Sequence, residues 1–581
     1  MKVFNSKLFL LFDSVQKKQT RFLFFFMGIA SVLEMISIGL ILPMIGLFLN
    51  STKVTENIYI KEILLYSNIS KDNLLVYFIL IFFLVYFLKI LFLIYITWYE
   101  QKFIASFVEK LSSRLFLSYV RQNFSFFMGR NSAEFFRNTI LEIENAASYF
   151  RAFFRFLLES SIVISLSALL FFVSPFITLI TIFIFFIVSL GYLKLIKKRV
   201  NIWGEQRLES ESKRIQFLQE GIGAVKDIKL LGRENFFFNN FKIQNLRLAD
   251  VALKMGFFNQ LPRFIFEFTA ISVVILIFLT LNVYKIEFTE IFTILALYIA
   301  VAFKIMPSIN RIVNSIQQIK FVDPAVNVLL DEIKKFSLAK KEEIISDTNI
   351  SFKKEILVDI KEYYYKKSTN FNLKDISFSI NKGDKIGIIG PSGAGKSTLI
   401  EVLLGVLKPT IGDVKVDAKS IYVYQKSWKK MIGYIPQHIF IMDDTFRNNI
   451  LFGLDSEKYS DNILIELIKQ IKLDKLLERL PKGLDHKLGE RGINLSGGEI
   501  QRIGISRALI YNPQIVFFDE ATSSLDTFTE KEILSEINNI KNITFITVAH
   551  KLETLKNCNK IFYLDNGKIV DVGDFKKFNN K

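Results

Sequence analysis

The feature that most constrains the fold of this chain is a set of six long apolar runs, all within its first 320 or so residues. Each run is long enough to cross the ~30 Å hydrocarbon core of a bilayer as a helix. Lipid offers the backbone no hydrogen-bond partners, so such runs fold as helices rather than as loops or open sheets. We therefore predict a six-helix transmembrane domain. The runs lie at about 22–49, 73–97, 156–173, 175–196, 257–281 and 288–312.

Basic residues mark one side of the predicted membrane domain. Lys17, Lys18 and Arg21 precede the first run, and Lys-Lys-Arg at 197–199 follows the fourth. We predict that the domain lies in the cell inner membrane. Because cytoplasmic loops carry an excess of Lys and Arg, both ends of the domain are predicted to face the cytoplasm. The same rule accounts for the net charge of +18, and no nucleic-acid-binding motif accompanies that charge.

The connections between the runs leave two alternatives open. Residues 98–155 and 197–256 are long and helix-like. They are either solvated helical hairpins or extensions of the membrane helices that present a turn to a partner domain. A helix break at Gly221 and Gly223 favours the second interpretation. Residues 50–70 form either a short amphipathic helix on the outer face or a plain loop.

Composition changes after about residue 320, where the chain becomes charged and glycine-punctuated. We predict a transmembrane domain over 1–320, a charged helix and linker over 321–350 with the domain boundary near 340–350, and a soluble domain over 351–581. Cys558 is the only cysteine, and the chain has three histidines. An intrachain disulfide is therefore excluded, and a structural zinc site is not expected.

The strongest motif is a glycine-rich loop between a predicted strand and a predicted helix. KIGII at 385–389 runs into GPSGAGKST at 390–398. Glycines let backbone N–H groups turn inward around phosphates, and the following helix N-terminus adds positive potential. Lys396 would reach the β- and γ-phosphates of a nucleotide, and Ser397 would bind Mg²⁺. The predicted phosphate-binding residues are Gly390, Ser392, Gly393, Gly395, Lys396, Ser397 and Thr398.

A second motif, IVFFDE at 515–520, is an apolar strand that ends in two carboxylates. Asp519 fits the role of holding Mg²⁺ through water, and Glu520 is suited to orient an attacking water in line with the γ-phosphate. Taken alone, the motif could be a buried strand that ends in ordinary surface acids. Its combination with the phosphate loop favours the catalytic interpretation.

A third motif, NLSGGE at 494–499, opens onto an amphipathic helix and forms another phosphate-facing helix N-terminus. One nucleotide does not need two such loops from one chain. We therefore expect Ser496, Gly497 and Gly498 to serve the nucleotide that a second copy of the domain holds.

Together these motifs resemble those of ABC transporters of the exporter type, and the resemblance extends over essentially the whole chain. It implies a membrane all-α domain of six helices followed by an α/β P-loop nucleotide-binding domain. It also implies ATP and Mg²⁺ as cofactors, ATP hydrolysis coupled to transport, and a homodimer as the working form.

The resemblance further assigns roles to single residues. Tyr365 in EYYYKK resembles the aromatic residue that stacks on adenine, although Tyr363 and Tyr364 leave the register open. Gln437 in YIPQ matches the residue that contacts Mg²⁺ and senses the membrane domain. His550 in TVAHKL resembles the histidine that responds to the γ-phosphate.

Two departures from the family pattern are mild. Glu499 stands where glutamine is usual, and Ser524 stands where alanine is usual in the loop 523–526, which resembles the segment that communicates across the dimer. Neither change removes a catalytic role. Because Glu520 and His550 are both present, a homodimer would have two competent ATP sites.

Three cations lie within the predicted membrane helices: Lys89, Arg263 and Lys304. Counted from the outer ends of their runs, all three lie roughly 24–27 Å deep at 1.5 Å per residue. One interpretation is that they snorkel to cytoplasmic headgroups, with Arg263 paired to Glu267. The other is a basic belt that lines the substrate cavity and binds a phosphate or pyrophosphate headgroup.

A narrower resemblance supports the second interpretation. ALYIAVAFKIMPSINRI at 296–312 and LPRFIFE at 261–267 look like segments of lipid-linked oligosaccharide flippases of the PglK type. This resemblance implies a flippase that moves a polyprenyl-pyrophosphate-linked oligosaccharide from the cytoplasmic to the periplasmic leaflet, for protein glycosylation. A general exporter of lipids, polysaccharide or hydrophobic drugs is the alternative, and an ATP-gated channel or regulator is a third possibility.

Overall fold

A computed structural model describes residues 10–41, 74–283, 288–342, 349–365, 372–520 and 543–579. The chain divides into two compact units, Met1–Gln122 with Gly129–Lys340, and Asn123–Met128 with Lys341–Lys581. The predictions for an outer-face helix at 50–70 and for the loop 523–526 fall outside the described residues.

The first unit is built from six long helices joined by short helical segments. Among the described residues, five of the six (all but α9) have the length and hydropathy of a membrane span, and the prediction for α9 rests on the sequence. The long helices are α1 (Ser14–Gly39), α2 (Leu74–Val120), α5 (Glu142–Val173), α6 (Pro175–Gly223), α8 (Glu234–Val283) and α9 (Phe288–Glu342). The short ones are α4 (Ser132–Phe136) and α7 (Val225–Leu231), whereas α3 (Phe124–Phe127), which lies between α2 and α4 in the chain, belongs to the second unit.

The long helices extend far beyond the apolar runs that they contain. α2, α6, α8 and α9 have 47, 49, 50 and 55 residues, or about 70–80 Å at 1.5 Å per residue. That is more than twice the thickness of a bilayer core. The connections after α2 and α6 are therefore continuations of membrane helices, as the second of the two interpretations requires.

Local sequence explains several helix ends. Asp13 begins α1 through a capping box, in which its side chain accepts from the Gln16 backbone N–H and the Gln16 side chain accepts from the Asp13 backbone N–H. Pro175 occupies the first position of α6 directly after α5, where a missing N–H costs nothing. α6 ends at Gly223, and Gly232 ends α7 with φ +60, a left-handed conformation that favours glycine.

The end of the transmembrane domain predicted near residue 320 lies inside a helix, and the two units divide between Lys340 and Lys341, at the domain boundary predicted near 340–350. α9 passes through Pro307 and Pro324 without interruption and ends at Glu342. Arg130 in the α3–α4 connection forms an ion pair of 3.1 Å with Glu332 on α9, so this part of α9 packs within the membrane unit. Residues 321–340 are therefore part of the first unit rather than a linker.

The second unit is an α/β domain with two sheets. A four-stranded antiparallel sheet has the order β2-β1-β4-β5, and a six-stranded, mainly parallel sheet has the order β10-β9-β3-β8-β7-β6. The strands are β1 (Glu355–Tyr363), β2 (Leu373–Asn381), β3 (Lys385–Ile389), β4 (Ile411–Val416), β5 (Lys419–Ser420), β6 (Ile432–Ile435), β7 (Ile515–Asp519), β8 (Thr544–Val548), β9 (Lys560–Asp565) and β10 (Lys568–Gly573).

Helices cover the six-stranded sheet, and its central strands are apolar on both faces, which is typical of parallel sheets. In β7 the four residues Ile515–Phe518 are all buried. Besides α3, the α-helices described for this unit are α10 (Lys396–Leu403), α11 (Gln425–Met431), α12 (Phe446–Leu451), α13 (Asp461–Gln470), α14 (Asp474–Arg479), α15 (Gly497–Leu509) and α16 (Phe575–Asn579). The predicted order of a helical membrane domain followed by an α/β domain is confirmed.

Candidate functional site

The sheet topology brings the separate sequence motifs of the second unit to one edge. β3, β8, β7 and β6 are neighbouring parallel strands. The glycine-rich loop follows β3, His550 follows β8, Glu520 follows β7 and Gln437 follows β6. Ligands of open parallel sheets bind at the carboxyl ends of the strands, so the motifs converge where a nucleotide is expected.

Two glycines of the loop are sterically required. A Cβ at Gly390 would lie 2.0 Å from the Leu564 backbone oxygen, and a Cβ at Gly395 would lie 2.9 Å from the Asn372 backbone oxygen. Gly395 also has φ +100 and forms the N-cap of α10. The loop can therefore turn its N–H groups toward a phosphate directly at the start of a helix.

Lys396 is held inside this loop. Its Nζ donates to the backbone oxygens of Gly390 at 2.9 Å and Pro391 at 3.1 Å. The same atom lies 3.9 Å from Glu520 Oε1. The ammonium is buried among acceptors that a nucleotide phosphate could replace, which fits the predicted contact with the β- and γ-phosphates.

Glu520 is the point where the predicted catalytic residues meet. Its Oε1 lies 2.7 Å from His550 Nε2, and its Oε2 accepts a hydrogen bond of 3.1 Å from Gln437 Nε2. Glu520 has φ +47, which is uncommon for a residue with a Cβ. Such backbone strain is found at sites where side-chain position matters more than stability.

Asp519 and its neighbours fit a divalent cation. Burial, and then the adjacent Glu520 carboxylate, raise the pKa of Asp519, whose Oδ2 accepts from the Tyr434 hydroxyl at 3.3 Å. A cation would relieve both effects. The described residues contain no group of three or more His, Cys, Asp and Glu side chains suited to a metal. Mg²⁺ would therefore rely on Ser397, Asp519, the Gln437 side-chain oxygen and the nucleotide phosphates.

The structure separates the three tyrosines whose register the sequence left open. Tyr363 is a buried β1 residue, and Tyr364 donates to Glu362. Tyr365 is half-buried, and its hydroxyl lies 2.9 Å from Thr398 Oγ1 in the first turn of α10. Tyr365 is thus the tyrosine beside the phosphate loop, and adenine stacking on it remains a prediction. Sequence reasoning missed Tyr434, although it stands in the same YIPQ motif as Gln437.

The third motif, NLSGGE at 494–499, leads into helix α15 as expected. Ser496 and Glu499 form a capping box, with Glu499 Oε2 accepting from the Ser496 backbone N–H at 2.7 Å. Gly497 and Gly498 form the first turn. Arg479, at the end of α14, forms an ion pair of 3.0 Å with Glu499 Oε1. The unusual glutamate is therefore both a cap and a paired charge, and sequence reasoning missed its partner.

In the membrane unit, two of the three predicted cations share one carboxylate. Glu34 on α1 is buried, with Oε1 2.9 Å from Lys304 Nζ and Oε2 3.6 Å from Lys89 Nζ. The Lys89 side chain is 4% exposed and that of Lys304 is 35% exposed. We call Glu34, Lys89 and Lys304 the Glu34 cluster. Sequence reasoning missed Glu34, although a lone acid within an apolar run was the available signal.

Arg263 differs from the two lysines. It is exposed on α8 and, among the described residues, forms no ion pair with Glu267 or any other carboxylate. Lys89 and Lys304 lie 15 and 16 residues from the outer ends of α2 and α9, whereas Arg263 lies 20 residues from that of α8. At 1.5 Å per residue these are depths of about 22, 24 and 30 Å. The common depth therefore holds for the lysines, with Arg263 about 6 Å deeper.

Comparison with known proteins places this architecture in a class. The chain matches the family model for the ABC transporter transmembrane region over residues 20–306 and the model for ABC transporter over residues 373–523. A solved bacterial Atm1-family ABC exporter with ATP bound has a TM-score of 0.76 and 20% identity, covering 98% of this chain and 97% of that one.

Curated relatives agree, mostly over part of their length. An ATM1-type heavy metal exporter of Novosphingobium aromaticivorans is 39% identical over 35% of this chain and 33% of that protein. An ATP-dependent lipid A-core flippase of Idiomarina loihiensis is 35% identical over 38% of each chain. These matches span well under two thirds of those relatives. YknU of Bacillus subtilis, an uncharacterized ABC transporter ATP-binding protein, is 28% identical over 80% of each.

Fold and site define a class of protein in which a helical membrane domain is fused to a P-loop nucleotide-binding domain. The two family models match complementary parts of the chain in the same order. The chain therefore belongs to the ABC transporters, with a transmembrane domain and an ATPase domain fused in one chain. This confirms the family expected from its motifs.

Proposed function

We propose that this ABC transporter is an exporter that works as a homodimer in the cell inner membrane and hydrolyses Mg-ATP to drive transport. The convergence of Lys396, Gln437 and His550 on Glu520 carries this proposal. Glu520 would orient the attacking water, while Ser397 and Asp519 would hold Mg²⁺. Ser496, Gly497 and Gly498 would complete the site of the partner copy.

For the substrate, we propose a polyprenyl-pyrophosphate-linked oligosaccharide that moves from the cytoplasmic to the outer leaflet. The membrane charges support an anionic headgroup: counted with their ordinary charges, the Glu34 cluster has a net charge of +1, and Arg263 adds an exposed cation. Charged side chains within a membrane domain usually mark substrate pathways. A relative named as a lipid A-core flippase makes a lipid substrate reasonable.

Within this proposal the three predicted substrate residues have different parts. Lys304 and Arg263 are accessible and would contact phosphate oxygens. Lys89 is buried against Glu34, Ser37 and the Tyr86 ring, so it would act by balancing Glu34 rather than by contact. Lysine keeps the charge of an arginine but not its bidentate geometry. A lysine here would therefore bind one phosphate oxygen at a time.

A heavy-metal cargo, as named for one relative, fits the residues less well. The single cysteine and all three histidines lie in the second unit, at Cys558, His438, His486 and His550. The membrane half therefore offers no thiol or imidazole side chain to a transition metal, and its soft ligands are limited to methionine thioethers. A general exporter of lipids, polysaccharide or drugs remains the second candidate. An apolar pocket between α5, α6, α8 and α9, lined by Phe185, Tyr298 and Met306, favours it.

The deciding experiment is a flipping assay in proteoliposomes with a fluorescent undecaprenyl-pyrophosphate glycan. We expect ATP-dependent transfer between leaflets in the wild type and none in Glu520→Gln. An uncharged lipid-linked glycan is the matched control and should not move. Equal transport of the charged and uncharged lipids, or ATPase stimulation by hydrophobic drugs alone, would favour the general exporter instead.

A further inference from the structure

The Glu34 cluster connects three membrane helices through one carboxylate. Glu34 lies on α1, Lys89 on α2 and Lys304 on α9. Glu34 is 1% exposed and Lys89 is 3% exposed, so these two charges are removed from both lipid headgroups and water. A buried charge without a partner is costly. Each of the two therefore stabilises the other in place.

Lys89 is committed to this arrangement by several contacts. Its Nζ donates to Ser37 Oγ at 3.2 Å and lies 3.7 Å from the centroid of the Tyr86 ring. Ser37 Oγ in turn donates to the backbone oxygen of Glu34 at 2.9 Å. With an ion pair, a hydrogen bond and a cation–π contact, Lys89 has no ready alternative partner.

Lys304 is the exchangeable member of the cluster. It has the shorter ion pair to Glu34, at 2.9 Å, yet a third of its side chain is exposed. An anion can therefore reach Lys304 without displacing Lys89. Glu34 would remain paired with Lys89 after such an exchange, so no buried charge would be left alone. Lys304 can therefore be in one of two states, paired with Glu34 or paired with an anion.

We propose that Glu34 is an internal counter-ion that competes with the phosphate oxygens of the substrate for Lys304. Without an anion, the Lys304–Glu34 ion pair ties α9 to α1. A phosphate or pyrophosphate that binds Lys304 releases this tie, so substrate binding and helix separation are coupled. This inference deepens the proposed function and rests on it for the identity of the anion. The tie itself does not depend on that identity.

The test compares variants of the full-length protein in proteoliposomes. Glu34→Gln removes the competing charge, and we expect its basal ATPase rate to rise toward the lipid-stimulated rate of the wild type. The concentration of undecaprenyl-pyrophosphate lipid that gives half-maximal stimulation should fall roughly fivefold or more. Glu159→Gln is the matched control. It neutralises another buried membrane acid, which pairs with Arg311 at 2.6 Å, and both quantities should stay at wild-type values.

A second variant protects the test against misfolding of Glu34→Gln, which leaves Lys89 buried without its carboxylate. Lys304→Gln leaves Glu34 and Lys89 as a neutral pair. We expect it to raise the basal ATPase rate as Glu34→Gln does, and to lose stimulation by the pyrophosphate lipid. Basal rates of both variants equal to wild type would overturn the competition.

Three ligands separate the sources of the anion. Undecaprenyl-pyrophosphate lipid, inorganic pyrophosphate and uncharged undecaprenol are each added to the wild type. Stimulation by the first alone supports a lipid headgroup, and stimulation by the first two supports a free anion at Lys304. A wild type that ignores all three overturns the proposed substrate class. The basal rates of Glu34→Gln and Lys304→Gln still decide whether the tie exists.

Discussion

Replacing Glu520 with glutamine tests the catalytic centre most directly. The amide keeps the size of the side chain and can still contact Gln437, which now donates to Oε2 at 3.1 Å. It removes the charge that faces His550 at 2.7 Å and Lys396 at 3.9 Å. If Glu520 orients and polarises the attacking water, kcat should fall by about 10²–10⁴-fold. That range corresponds to roughly 2.7–5.5 kcal/mol of transition-state stabilisation.

The Michaelis constant should behave differently from kcat. Lys396 loses a carboxylate competitor in Glu520→Gln, so ATP should bind at least as tightly as in the wild type. Phosphate release at saturating Mg-ATP gives kcat, and equilibrium binding of a fluorescent ATP analogue gives affinity. Glu553→Gln, the same change at an exposed glutamate after β8, is the control and should stay within about twofold, as surface changes do. A kcat for Glu520→Gln within threefold of wild type would refute the role of Glu520 in activating water.

Three further predictions concern the same domain. Arg479→Gln removes an exposed ion pair, and the loss of such a pair should weaken ATP binding about 1.4- to 5-fold. Glu499→Gln added in the same chain should restore ATP binding, and ATP titrations of both variants measure the two effects. Gly390→Ala should cost ~1–3 kcal/mol of stability and abolish ATP binding, measured by thermal unfolding and titration, because its Cβ would overlap the Leu564 oxygen. Because burial and the neighbouring Glu520 raise the pKa of Asp519, protonation should weaken Mg²⁺ binding at a higher pH than for an ordinary aspartate. A Mg²⁺ titration of ATPase activity across pH measures this, and no change in half-saturation down to pH 4 would contradict it.

The nucleotide site could be predicted because its chemistry is local in sequence. The loop 390–398, the strand that ends at Asp519 and the segment 494–499 each carry their own turn or strand signal. What sequence could not provide was the order of the strands, which makes Glu520 the shared partner of Lys396, Gln437 and His550. The Arg479–Glu499 pair was missed for the same reason, since nothing local to either residue indicates the other.

The membrane charges show where depth alone fails. Counting residues along a helix estimates how deep Lys89, Arg263 and Lys304 lie, but the rotation of each helix decides what each ammonium or guanidinium meets. Glu34 and Lys304 are far apart in sequence, and their contact depends on the packing of α1 against α9. A count of cations predicts three positive charges for a substrate. With Glu34 included, the two lysines contribute a net charge of only +1, and of these two lysines only Lys304 is accessible. The anion-binding strength of this membrane domain is therefore set as much by the buried acid that pairs with the two lysines as by its basic residues, which is why Glu34 rather than any lysine is the informative position to change.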